Sequence, residues 1–258
     1  MRIEAILFVN WIFWAALLAG TLVVVGVTER LGGTTRGYRL FMAWLLVALA
    51  AILVASDFAL PAGVEASATT ELRRPLTVAC AVGAAAYLVA SLAGLPRSGV
   101  AIGSGLIGLA ALVVLAAAGG TDNAALFAGQ LVLAALALGA VNAGMLLGHW
   151  YLVTPKLSPA PLRRMMWLLV GCLVLQGVAF VIAVVAGPEA LEGGLGMLTW
   201  LRLGVGILLP LVAAGLAIAA SSAASLQAST GLLYIGLALV MAGSIAGASI
   251  AYLTGVPV

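Results

Sequence analysis

Apolar runs of roughly 20 residues recur along this chain, cut by short segments that hold nearly all of its charge. A run of that length lets an α-helix cross a hydrocarbon layer of about 30 Å, whereas the strands of a membrane barrel would alternate over about 10 residues. The expected fold is therefore all-α, a polytopic integral membrane helical bundle of about eight transmembrane helices. With 65% hydrophobic and only 7% charged residues, the chain cannot coat a water-soluble globule, which is typically about a quarter charged.

Cutting the runs at charge, Pro and Gly clusters places spans near 4–27, 38–58, 74–95, 99–119, 124–153, 162–186, 196–219 and 231–253. The connections are too short to fold alone, so residues 1–258 form one transmembrane domain. The N-terminus lacks a basic n-region and an A-x-A-like cleavage site, and is read as a retained first span. Cys80 and Cys172 fall inside spans and near opposite faces, which argues against a mutual disulfide. Neither a CxxC nor a metal-ligand cluster occurs, so no metal is expected.

Charge sets the expected orientation. The odd-numbered loops hold Arg30, Arg36, Arg39, Arg97, Lys156, Arg163 and Arg164, against Arg2, Arg73 and Arg74 on the other side. Positive charge near span ends stays in the cytoplasm, so both termini are expected outside. Arg202, just within the seventh span, is expected to snorkel to the outer surface. The net charge of +3 thus reports topology, and no nucleic-acid partner follows from it. Ten arginines to one lysine, with abundant alanine, suit a GC-rich bacterial genome and hence a bacterial inner membrane.

A faint repeat relates spans one and two to spans five and six. Gly20 matches Gly144, Thr28 matches Thr154, and Trp44-Leu45-Leu46-Val47 matches Trp167-Leu168-Leu169-Val170, at offsets of 124, 126 and 123 residues. An even number of spans between copies makes them parallel, giving four-helix halves over 1–120 and 121–258. The GxxxG pairs Gly99/Gly103 and Gly243/Gly247 are expected to pack helices within the subunit, with an interface to another subunit as the less ordinary alternative.

The stretch Asn142–Arg164 holds the only histidine and the only lysine. Asn142 and His149 are seven residues apart, on one helical face. Trp150 and Tyr151 form the aromatic pair expected at headgroup level, and Pro155 stops the helix. An imidazole at this depth, with flat aromatics and an amide beside it, suits a quinone or quinol head group. The candidate cofactor-binding residues are therefore His149, Asn142, Trp150 and Tyr151, with quinone as the cofactor. A plainer role for His149 is packing or lipid contact. Haem is not expected, because bis-histidine ligation needs a second histidine. Glu29 is expected to pair with Arg30 or Arg36, with a proton relay from His149 as the less ordinary alternative. The collar of Arg36, Arg39, Arg163 and Arg164 could hold anionic membrane lipid or dock an acidic subunit.

No hydrolytic constellation or phosphate loop is present, so catalysis by this chain alone is not expected. The expected role is an integral membrane subunit of a larger respiratory or energy-converting complex, with other subunits and membrane lipids as partners. In span number and layout alone, the chain is similar to haem-free quinol-interacting anchor subunits of respiratory oxidoreductases. The alternatives are a transporter or channel for a small neutral or hydrophobic solute, and a structural membrane scaffold.

Overall fold

The computed structural model of the protein describes residues 3–60, 68–118, 123–154, 157–186, 196–223 and 225–254. Regular structure among these is helical: α1 (Ile3–Leu31), α2 (Arg36–Phe58), α3 (Ala68–Ala93), α4 (Ser98–Ala118), α5 (Ala124–Val153), α6 (Ala160–Ala186), α7 (Gly196–Leu203), α8 (Leu209–Ser222) and α9 (Leu226–Thr254). A π-turn, Gly204–Leu208, joins α7 to α8, and the three pieces make one span. Pro210 has no N–H to give the ladder, so the turn just before it rearranges its hydrogen bonds. Among the described residues, eight spans are long and apolar enough to cross a membrane, so the protein is an all-α polytopic bundle.

Expected span limits hold to within about four residues except at the starts of the third and the last, where α3 begins at Ala68 and α9 at Leu226. The polar stretch before residue 231 is helical from Leu226. Its hydroxyls explain this. Thr230 Oγ1 donates to the Leu226 carbonyl at 2.7 Å, and Ser229 Oγ donates to Met166 Sδ at 3.6 Å. Both side chains are buried against the bundle, so polarity here reports internal partners, not a solvated loop.

α1 is the inner helix: 83% of its most apolar window is buried, against 28% of the third span's. Lipid supplies no hydrophobic drive for helices to associate, so close packing must come from small residues. Here they lie on α1 and the helices that cross it. A Cβ added to Gly105 of α4 would stand 2.8 Å from the Ala19 carbonyl oxygen, and one on Gly139 of α5 would stand 2.6 Å from Thr21 N. Gly99 and Gly103 do not share this role. A Cβ on either would meet nothing within 4 Å, which corrects the expectation of a packing face within the subunit. Gly243 does pack inside, against Gly206 of the π-turn.

Span adjacency repeats when four is added to each span number. Spans 1 and 2 touch, as do 5 and 6; 2 and 3, as do 6 and 7; 3 and 4, as do 7 and 8; 1 and 4, as do 5 and 8. Between the halves, spans 4 and 5 touch, as do 8 and 1, and spans 1 and 5 cross at the centre. Within the matched tetrapeptides, Trp44 and Trp167 point outward, each 59% exposed, while Leu46 and Leu169 are buried.

Side-chain contacts place alternate ends together. On one face, Phe8 stacks on Tyr252, Asn10 Nδ2 donates to Ser56 Oγ at 3.0 Å, and Asp57 pairs with Arg73 and Arg74. This terminal face joins the start of α1, the end of α9, the end of α2 and the first turns of α3. On the opposite face, the end of α1 meets the α3–α4 turn and the start of α6, and the end of α5 meets the starts of α2 and α9.

Candidate functional site

α5 is fixed at both ends, which sets the height of His149. The Asn123 side chain accepts from Leu126 N at 3.0 Å, and Thr154 N donates to the Trp150 carbonyl at 3.0 Å. His149 therefore lies on the last turn, at the face opposite the termini. Its ring is exposed. Nδ1 lies 3.4 Å from the Tyr234 hydroxyl of α9, itself 48% exposed.

Of the other three expected site residues, Asn142 and Tyr151 hydrogen-bond within the bundle and Trp150 packs against the start of α2. Asn142 is buried, and its Nδ2 donates to Thr21 Oγ1 at 3.2 Å, tying α5 to α1. It shares a helical face with His149 by spacing but has different neighbours. Trp150 lies over Gly37 at the start of α2: a Cβ there would stand 3.0 Å from its Cη2. Tyr151 is buried, and its hydroxyl donates to the Ser158 carbonyl at 2.8 Å. Asn142 and Tyr151 have their polar groups bonded inside the bundle, whereas His149 is exposed, and its partner Tyr234 was not among the sequence candidates. An aromatic residue about two turns into the last helix was the available signal.

Glu29 is bound elsewhere. Its Oε1 accepts from the Tyr87 hydroxyl at 2.6 Å, and its Oε2 lies 3.1 Å from Arg97 Nε. That replaces the expected pairing with Arg30 or Arg36 and ties α1 to α3 and the α3–α4 turn. The basic collar is divided too. Arg36 and Arg39 join Arg97 and Ser91 around a cavity of about 400 Å³. Arg164 donates to the Leu31 carbonyl at 3.4 Å and borders a separate, mainly apolar cavity of about 320 Å³ between α1, α5 and α6.

Arg202 is not an outward-reaching anchor. It is 2% exposed, and a terminal nitrogen donates to Gln176 Oε1 of α6. Gln176 Nε2 in turn donates to the Leu133 carbonyl of α5 at 3.3 Å. Sequence distance from the span end pointed to snorkelling, whereas facing inward toward a glutamine decides otherwise. Gln130 of α5 is also buried, and its amide makes no hydrogen bond among the described residues. On the terminal face, Asp57 is enclosed by Arg73 and Arg74, with Arg73 4.9 Å over the Trp11 ring. Cys80 and Cys172 are free and buried.

These features define a multi-pass membrane protein with an outward histidine–tyrosine pair and, among the described residues, two buried arginines, Arg73 held by Asp57 and Arg202 held by Gln176. No protein-family model, curated protein or solved structure matches the chain.

Proposed function

We propose that this protein is an integral subunit of a larger respiratory or energy-converting complex in a bacterial inner membrane, and that His149 and Tyr234 contribute a quinone or quinol head-group site. The observation that carries the reading is the 3.4 Å approach of Nδ1 to the tyrosine hydroxyl between two exposed side chains. A hydrogen bond of that length is loose, so a head-group oxygen can compete for either partner. With Nδ1 accepting from Tyr234, Nε2–H remains as a donor to a quinone carbonyl; in the other tautomer, Nε2 can accept a quinol hydroxyl proton. The isoprenoid tail would lie along exposed apolar residues in lipid. Quinone chemistry itself belongs to the cofactor. This chain's part is to orient the head group.

The basic residues support placing that face in the cytoplasm and both termini outside. Arg30, Arg36, Arg39, Arg97, Arg163 and Arg164 lie toward it, while Arg73 and Arg74 of the terminal face share Asp57. Titration of a short-chain quinone analogue into purified protein in nanodiscs tests the site. His149→Ala should weaken binding by roughly tenfold, the worth of one or two net hydrogen bonds. Unchanged affinity would remove the quinone role, and a partner-free monomer in mild detergent would remove the subunit role.

One observation favours a second reading, a path for a small neutral solute. Arg202, Gln176 and Gln130 form intramembrane polar groups of the kind that line pathways. Proteoliposomes no more permeable to urea or glycerol than empty vesicles would sink it.

A further inference from the structure

The cavity between the start of α2 and the α3–α4 turn collects three guanidinium groups, two from α2 and one from that turn. Thr35 caps α2, its Oγ1 accepting from Tyr38 N at 3.3 Å, so Arg36 and Arg39 occupy the first turn of that helix. Arg97 arrives from the other side. Gly94, at φ +71°, ends α3, and Leu95 N closes on the Ala90 carbonyl at 2.9 Å, a tight stop that returns the chain as Arg97 into α4. Ser91, one turn before that stop and 5% exposed, lines the same cavity, and its Oγ has no hydrogen-bond partner among the described residues.

Charge in this cavity is unbalanced. Glu29 pairs with Arg97, whereas among the described residues no carboxylate lies in ion-pair range of Arg36 or Arg39. Arg39 Nη1 donates to the Thr34 carbonyl at 3.4 Å, but its buried Nε has no partner. Buried polar groups are normally satisfied, and this one cavity is lined both by Arg39, whose Nε has no hydrogen-bond partner among the described residues, and by Ser91, whose hydroxyl has none either. The cavity's 400 Å³ is of ligand size.

We propose that this cavity binds a phosphate group, with Arg36 and Arg39 as its charge-bearing donors, Arg97 as a third cation held in place by Glu29, and Ser91 as a hydroxyl donor. Guanidinium forks match phosphate oxygens geometrically, and two uncompensated arginines match the charge of a phosphate ester. The cavity lies at the ends of candidate spans, the level of lipid headgroups. The phosphate could be an anionic phospholipid's or a soluble one's. This site is independent of the His149–Tyr234 pair.

The test uses the full chain and two probes. Native mass spectrometry after reconstitution with phosphatidylglycerol and phosphatidylcholine reads retained lipid, and isothermal titration of inorganic phosphate into detergent-purified protein reads the soluble source. Arg36→Gln/Arg39→Gln should lower retention or affinity about tenfold per arginine, and Ser91→Ala less. Arg163→Gln/Arg164→Gln, at the same face but outside the cavity, should change neither. Ser91→Ala preserves all charge, so it still tests the site if the arginine pair variant does not fold. Retained phosphatidylglycerol alone assigns the site to a lipid headgroup, and binding of inorganic phosphate assigns it to the phosphate itself. The proposal is overturned if neither probe distinguishes the cavity variants from the wild type, or if the Arg163/Arg164 variant loses as much.

Discussion

The crossing of α1 and α5 offers the sharpest test of how this bundle closes. Gly139→Ala adds one carbon where it would stand 2.6 Å from Thr21 N and closer still to the Gly20 carbonyl group. These are backbone atoms, so no rotamer change relieves the overlap. Ordinary carbon–nitrogen contact is about 3.5 Å, so the helices must separate locally by about 1 Å. Overpacking of this kind costs about 1–3 kcal/mol. The same shift stretches the Asn142–Thr21 hydrogen bond, 3.2 Å in the native packing, beyond bonding range. Leaving those buried groups unpaired adds about 1–3 kcal/mol. Alanine's better helix propensity returns up to about 1 kcal/mol, for a net loss of about 1–6 kcal/mol. The control is Gly171→Ala on α6, where a Cβ meets nothing within 4 Å and stability should hold or rise slightly. Reversible unfolding in mixed micelles with increasing sodium dodecyl sulfate reads the difference. Two variants equal to within about 0.5 kcal/mol would refute close backbone approach as the organising contact.

Other contacts give separate expectations in the same assay. Asp57→Asn leaves Arg73, whose side chain is 3% exposed, without its carboxylate and should cost about 3–5 kcal/mol, whereas Arg74→Gln, at a 44% exposed side chain, should cost less than about 1 kcal/mol. Gln176→Leu removes the acceptor of buried Arg202 and should destabilise by about 1.5–3 kcal/mol; Arg202→Met in that background should restore much of the loss, and additive losses would count against the pairing. His149→Ala should leave unfolding within about 0.5 kcal/mol of wild type, because the ring is exposed, so a binding defect in that variant cannot be a folding defect.

The class and span limits were legible because lipid imposes a length and a polarity on each helix, and both are local properties of the chain. Partner choice was not. Glu29 is the one acid expected on its face, but which arginine it meets depends on α1 packing beside α3 and α4, and Arg97 is remote in sequence. Arg202 failed for a related reason: its distance from the span end is readable, its direction is not. Asn142 and His149 show the limit of helical spacing. Seven residues put two side chains on one face but at different depths, and what lies opposite each is decided by another helix. Hydroxyl-rich sequence at the start of α9 was misread because the same residues suit a solvated loop and a buried helical turn.

The repeated span adjacency makes the halves comparable, and the comparison isolates where they differ. In the seam between α5 and α2, Trp150 covers Gly37, and the glycine admits the indole where any side chain would collide. The corresponding seam lies between α1 and α6, with Val23, Val24 and Val27 on α1 near the positions that the offsets of 124 to 126 residues match to Trp150. No indole fills it; instead there is an apolar cavity bordered by Arg164. A similar divergence affects the outer helices: His149 meets Tyr234 across α5 and α9, whereas the related contact of α1 with α4 is made by Gly105 and Gly108 against Val23 and Ala19. Both halves thus bring small residues into this seam, Gly148 against Thr230 in the second, but one half keeps a cavity where the other places a tryptophan, and only the second sets a histidine–tyrosine pair outside. Substitutions in one half should therefore not be mimicked by those at matched positions in the other, because packing, not the repeated layout, decides which surfaces remain open.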